Sequence, residues 1–179
     1  DARRLRRAGL THPILILGYT PEERASELFE LGVTQTVLGM DYARKLSAAA
    51  VEAGVTVEVH IKVDTGMSRI GFSAVDDEAC AMEIAKACLL PNLRATGIFT
   101  HFAVADEETE QSEEFTRLQH YRFSNVVWLL KQRKIEFDQV HCCNSAATIL
   151  ITSYHHSMVR PGIIMYGCSP SGDPMEQID

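Results

Sequence analysis

Residues 55–64, Val55-Thr56-Val57-Glu58-Val59-His60-Ile61-Lys62-Val63-Asp64, decide the fold. The run begins with apolar and polar residues in alternation and ends in charge, as expected of a buried strand with a polar C-terminal end. Helical patterns flank it: Met40 to Ala53, stopped by Gly54, and Asp76 to Leu89. The same pairing repeats on either side. Upstream, His12 to Gly18 (HPILILG) reads as a short buried strand. Thr20-Pro21-Glu22-Glu23 then opens a helix, with Thr20 as cap, Pro21 in the first position and Gly32 as the stop. Thr34 to Leu38 is the next strand. Downstream come a strand over Ala95 to Phe102, a long helical pattern over Glu108 to Arg133, a strand over Asp138 to Cys143, an Ala-rich helical turn, and a sixth strand within Met158 to Ile164. Repeated β/α alternation demands a parallel sheet with right-handed crossovers. Two closures satisfy it, a doubly wound open sheet and a (β/α) barrel. The first strand is not followed by G-x-G-x-x-G, which weakens a dinucleotide-binding reading. A whole barrel needs eight strands and about 250 residues. Six strands in 179 residues are therefore an open sheet or part of a barrel.

Composition bounds the function. There are 17 Lys+Arg against 24 Asp+Glu, a net charge of −7, with 46% hydrophobic residues. This is the balance of a globular domain, and it argues against nucleic acid or an anionic membrane as the partner. Any anion site must be built locally. The five cysteines are odd in number and lack C-x-x-C, which fits reduced thiols in a cytoplasmic protein. No apolar run approaches the ~20 residues of a membrane span. The basic start Asp1-Ala2-Arg3-Arg4 lacks the apolar region of a signal peptide.

Polar residues recur at strand ends, which in a β/α fold open on one face. Lys62 and Asp64 end the third strand, His101 the fourth, Asn144 and Ser145 follow the fifth, and Arg160 and Gly162 lie in the last. In KVDTGMSRIGF, Thr65-Gly66 is a turn signal, and Arg69 beyond it is suited to a carboxylate or phenolate, or to a surface acid. Lys62 within a strand needs a neighbour such as Asp64 or Arg69. Ser145 opens a short helix, as a plain N-cap or as part of an anion site. Gly162 and Ile163 add backbone N–H groups from the next loop, and together the two loops make the phosphate site of a barrel. No metal is expected: no His or Cys has ligand spacing to His101, and His155-His156 reads as loop.

Four motifs, HIKVDTGMSRIGF (60–72), GIFTHFAVADE (97–107), HCCNSAAT (141–148) and MVRPGIIMYG (158–167), resemble alanine racemase, a pyridoxal-phosphate family of the barrel type, in order and spacing. The resemblance implies an incomplete (β/α)8 TIM-barrel domain, α/β in class, over residues 1–168, with about six of eight units. Residues 169–179 would then be an exit loop toward a C-terminal β domain. It implies pyridoxal 5'-phosphate as cofactor, with Arg160 on the pyridine nitrogen and His101 holding Arg160. Ser145, Gly162 and Ile163 would take the phosphate, His141 would line the pocket, and Asn144 would support Arg69 or the cofactor edge. Arg69 would reach the phenolic oxygen and the substrate carboxylate, and Lys62 would orient Arg69 as a carbamate.

The family usually carries its cofactor-bearing lysine in a motif like K-A-N-A-Y-G-H-G, and its second base, a tyrosine, in the C-terminal domain. Neither is found here, so the 179 residues alone are expected to be inactive. Smaller departures are Ser68 in place of a frequent Gly and Cys143 in place of a frequent Ala. For the parent enzyme the resemblance implies a cytoplasmic homodimer that interconverts L- and D-alanine for peptidoglycan precursors. A serine or broad-specificity amino-acid racemase, and a non-catalytic pyridoxal-phosphate-binding barrel protein, are the alternatives.

Overall fold

The computed structural model describes residues 1–171. The elements are α1 (Ala2–Arg7), β1 (Ile14–Ile16), a 3-10 turn (Glu22–Arg24) running into α2 (Ala25–Glu30), β2 (Val33–Val37), α3 (Met40–Glu52), β3 (Val57–Asp64), β4 (Phe72–Ser73), α4 (Asp77–Cys88), β5 (Leu93–Phe99), α5 (Glu110–Gln132), β6 (Gln139–His141) and α6 (Ser145–Leu150), with further 3-10 turns at Thr152–Tyr154 and Ile163–Tyr166. Five strands form one sheet in the order β1-β2-β3-β5-β6, every pair parallel, while β4 pairs β3 alone. Spatial order follows chain order without a reversal. A doubly wound sheet would place its first strand in the middle and wind both ways from it. A monotonic order is an arc of a barrel, so the alternation left open by the sequence resolves to an incomplete TIM-type barrel.

The period-2 reading of the third strand holds. Val57, Val59, Ile61 and Val63 are buried in the layer between sheet and helices, with Leu46 of α3 and Ile84 of α4. The intervening Glu58, His60, Lys62 and Asp64 fall on the other face, the inside of the arc. On α5 the buried positions are 112, 116, 119, 123, 126, 129 and 130, one stripe at helical spacing. Its N-terminal part buries Ser112, Thr116 and Gln119, and its C-terminal part buries Phe123, Val126 and Leu130. The polar part lies beside the strand ends. Side-chain caps close two of these helices: Asp76 accepts from Ala79 N on α4, and Thr109 accepts from Ser112 N on α5.

Two expectations need correction. No strand forms over Met158–Ile164. Ser157 N donates to Val140 O and Arg160 N to Cys143 O, and then Pro161, which has no N–H, ends the pairing. Gly162 (φ −113, ψ −95) turns the chain into the 3-10 turn at Ile163 instead. Nor does Thr20 cap a helix. Pro21 stays extended (φ −52, ψ 133), the helix begins later as a 3-10 turn, and the Thr20 carbonyl accepts from Tyr42 Oη at 2.8 Å. The exit loop expected over 169–179 lies largely outside the described residues.

Candidate functional site

Strand C-termini bring the polar residues together. The inner face holds a column of side chains across three strands: Lys62 and His60 on β3, Gly97 and Phe99 on β5, and His141 on β6. Phe99 and His141 stack at 4.8 Å between ring centres. Arg160, arriving from the loop beyond α6, lies over Phe99 at 5.2 Å, and Lys62 Nζ lies over the same ring at 5.7 Å. Lys62 donates to Val63 O at 2.8 Å, and no salt bridge among the described residues pairs Lys62 or Arg160 with an acid. Burial lowers the pKa of Lys62 from 10.5 to about 8 and that of Arg160 from 12.5 to about 10.

Hydrogen-bond directions in this column follow from chemistry. Arginine only donates, so His141 Nδ1 accepts from Arg160 NH1. The His141 proton therefore sits on Nε2 and is donated to His60 Nδ1 at 2.9 Å. Both rings are neutral, because burial and the charge of Arg160 hold His60 down to about 4 and His141 to about 2. The other arm of Arg160 donates to Thr100 O at 2.8 Å, Cys142 O at 3.2 Å and His101 Nδ1 at 3.4 Å. His101 is thus the longest of these contacts. The expected contact of His101 with Arg160 is made, and His141 and the two carbonyls hold the same guanidinium more closely. His141 itself is fully buried behind Arg160 rather than on an open pocket wall.

Gly97 makes room for the column. A Cβ there would stand 2.4–2.6 Å from the His60 ring. That ring is pinned by His141 and cannot step aside cheaply. Gly97→Ala is expected to destabilise the protein by about 1–3 kcal/mol, the usual cost of overpacking. A chemical-denaturation midpoint equal to that of the unmodified protein would contradict the packing described.

The loop after β3 is tied back by Asp64, whose Oδ1 accepts from Gly66 N at 3.1 Å and Ser68 N at 3.0 Å. Ser68 sits at φ 57, in the left-handed region that favours glycine. At Gly71 (φ 121) a Cβ would meet Lys62 O at 2.8 Å, so the returning strand β4 passes directly over the lysine. Arg69 projects from this loop and is exposed.

Ser145 and Arg160 meet at a cleft of about 350 Å3, and its walls carry His101, Asn144, Ser145, Arg160, Gly162 and Ile163 together with the acidic Asp106. Lys62, Arg69 and His141 are not among its lining residues. Two larger hollows, of about 520 and 660 Å3, lie against α1–α2 and against α5 and contain none of the expected residues. Gly162 N donates to Ser145 Oγ at 2.9 Å, leaving the serine's own hydrogen free to donate. Asn144 does not support Arg69. Its Oδ1 caps α6 through Ala147 N at 3.1 Å, and its Nδ2 reaches Phe102 O at 3.5 Å.

One positioning residue was not foreseen. Gln119 of α5, fully buried, donates to Thr65 Oγ1 (3.1 Å) and His101 O (3.2 Å) and accepts from Ala103 N (2.9 Å). Thr65 in turn meets Thr100 at 2.8 Å, and Thr100 Oγ1 donates to Val63 O. The ends of β3 and β5 are thereby locked to the helix layer. Gln119 lies on the buried stripe of α5, where an amide is an exception, and that is the signal the sequence held.

The profile of the family described as alanine racemase, N-terminal domain, matches residues 1–170. The chain belongs to this family. Alanine racemase from Desulforamulus reducens is 45% identical over 179 residues, covering 100% of this chain and 46% of that protein. Alanine racemase from Clostridium tetani is 40% identical over 173 residues, covering 97% of this chain and 43% of its own length. Among solved structures, alanine racemase of Clostridium difficile 630 in complex with cycloserine superposes with a TM-score of 0.88 at 35% identity, over 98% of this chain and 47% of that one. The Bacillus anthracis enzyme with bound L-Ala-P gives 0.84 at 34% identity, over 95% and 42%. The chain therefore spans about half the length of the relatives it matches. The alanine racemase barrel is the fold found above, seen as an arc of its strands.

Proposed function

We propose that this chain is the cofactor-holding part of a pyridoxal-phosphate-dependent alanine racemase. The observation that carries the reading is the pair of inward-facing cations, Lys62 and Arg160, without a carboxylate partner among the described residues. Uncompensated charge in such a place is costly unless an anion or a strong acceptor completes it. The residues fit pyridoxal 5'-phosphate. The free hydrogen of Ser145 and the backbone N–H of Ile163 suit a phosphate, with Gly162 N–H holding the serine oxygen in place, and Arg160 suits a ring nitrogen.

When bound, the cofactor supplies an electron sink for the α-carbon of the amino acid. Arg160, cationic at neutral pH, would donate toward the ring nitrogen and leave it unprotonated. A weaker sink favours returning the proton over transamination. His141 and the carbonyls of Thr100 and Cys142 hold that guanidinium, with His101 adding a longer contact. Arg69, exposed on its loop, would take the substrate carboxylate and the phenolic oxygen. With a pKa near 8, about a tenth of Lys62 is free amine at pH 7. The amine nitrogen can add to carbon dioxide, releasing a proton to solvent. The resulting carbamate would orient Arg69, whereas an ammonium would repel it. Asn144 keeps α6 and Ser145 in place.

The name of the relatives, alanine racemase, supports alanine as substrate. A cytoplasmic homodimer and D-alanine supply for peptidoglycan belong to the same proposal. No helix among the described residues is long and apolar enough to cross a membrane. Protein expressed from the complete reading frame, given L-alanine and pyridoxal 5'-phosphate, is expected to form D-alanine by chiral chromatography, and the 179 residues alone to form none. D-alanine from the 179 residues would refute their inactivity. Turnover of serine without alanine in the complete protein would overturn the substrate.

A further inference from the structure

Away from the cleft, three side chains from separate elements converge on the helix side of the sheet. His120 belongs to α5, Cys142 follows β6, and His156 follows the 3-10 turn Thr152–Tyr154. One ligand atom from each lies within 4.8 Å of the other two. His120 Nε2 and His156 Nε2 face each other at 3.3 Å, and Ser124 Oγ is 3.4 Å from His120 Nε2. Two nitrogens on a tetrahedral zinc ion, each bonded at about 2.0–2.1 Å, stand about 3.3 Å apart. The imidazole separation already has that value.

The rings are held in place. His120 stacks on Tyr154 at 3.6 Å between centres, and His156 meets the edge of Phe123 at 5.8 Å. His156 sits at φ 49, an uncommon left-handed conformation for a residue with a side chain. Burial keeps both imidazoles below their ordinary pKa, so both are neutral ligands at pH 7. Cys142 Sγ now donates to Tyr154 O at 3.2 Å, and Cys143 Sγ reaches the same carbonyl at 3.2 Å. That carbonyl keeps a partner if Cys142 turns to a metal. Two imidazoles and a thiolate form a donor set for zinc and its neighbours rather than for calcium or magnesium. The absence of ligand spacing in the sequence says nothing against this, since helix, strand and loop bring the three together only in space.

We propose that His120, Cys142 and His156 form a zinc-class metal site, completed by water or Ser124, that clamps α5 to the segment after β6. Metal binding forms a metal–sulfur bond and breaks the S–H bond, and the proton leaves to solvent. Because the thiol proton must leave for the metal–sulfur bond to form, binding strengthens as pH rises. The site is independent of the racemase reading.

Metal-free protein from the complete reading frame, titrated with Co2+, is expected to take up one equivalent. It should show thiolate-to-cobalt charge transfer and the visible bands of tetrahedral cobalt, and Zn2+ should displace the cobalt. Cys142→Ala should abolish the charge-transfer band. His156→Ala, on the loop after the 3-10 turn and outside the sheet, should weaken Zn2+ binding by at least about 10–100-fold, the loss known even for groups that only support a ligand, while far-UV circular dichroism matching the parent shows that the fold is kept. His12→Ala, at an exposed histidine elsewhere, should leave binding unchanged. No saturable uptake, uptake without the charge-transfer band, or undiminished affinity in His156→Ala would each overturn the site.

Discussion

Arg160→Ala is expected to cost about 1–3 kcal/mol of folding stability, since the neutral acceptors it strands outweigh the relief of removing an unpaired buried charge. It is also expected to abolish binding of pyridoxal 5'-phosphate. The guanidinium donates to Thr100 O, Cys142 O, His141 Nδ1 and His101 Nδ1. Removing it leaves these acceptors facing a void, and each buried acceptor left unsatisfied costs about 1–3 kcal/mol unless water enters. The His141 tautomer loses its cause as well: without a donor at Nδ1, the relay from Arg160 through His141 to His60 is no longer specified. Arg160→Lys should retain part of the stability and little of the cofactor binding. A single ammonium cannot reproduce two arms directed at opposite sides of the strand ends. Urea unfolding reads the first effect, and cofactor fluorescence titration reads the second. An alanine variant within about 1 kcal/mol of the parent in urea would mean that the network is not closed by Arg160.

Much of this site was legible because strand ends in a β/α fold share one face. His101 and Ser145 could be assigned to one place from their positions after successive strands, and Arg160 from a sixth strand that does not form, yet the cleft does gather all three. What could not be read depended on pairing across the sheet. His60 looks like one more polar residue of an alternating strand until Gly97, two strands' chemistry away in sequence, is seen to leave space for its ring. His141 reads as a pocket residue because its motif adjoins Asn144 and Ser145, yet strand alternation turns it inward behind Arg160. The expected sixth strand failed on a local rule, since Pro161 stops a ladder that had begun at Ser157. The N-terminal helix was missed for a different reason. Six residues are too few to be helical on propensity alone. Arg6 secures them through tertiary bonds to the carbonyls of Leu10, His12, Leu31 and Gly32.

Lowering the pH from 7 to 5 is expected to remove about 2 kcal/mol of stability for each of His60 and His141, and His101 and His120, also held down to about 4 by burial, add to the same acid loss. In the folded chain His60 and His141 resist protonation down to about 4 and about 2, whereas in the unfolded chain they titrate at 6.5. The unfolded state therefore binds more protons below pH 6.5, and stability falls as pH falls through the window from 6.5 toward 4. The cause is spatial. Arg160 lies against His141, His141 donates to His60, and a proton added to either ring would place a second positive charge beside a buried guanidinium. Lys62 acts in a separate window. Its pKa drops from 10.5 unfolded to about 8 folded, so stability rises with pH between 8 and 10.5 and is insensitive to this group below 8. Unfolding midpoints in urea at pH 7, 6 and 5 measure the acid slope, and imidazole proton resonances identify which rings remain neutral. His141→Gln removes one titrating group and should flatten the slope, although it also lowers the midpoint at pH 7. Equal midpoints at pH 7 and 5, or His60 and His141 resonances that titrate near 6.5, would show that the column of rings is open to water. The charge of Arg160 would then be screened by solvent instead of governing its neighbours.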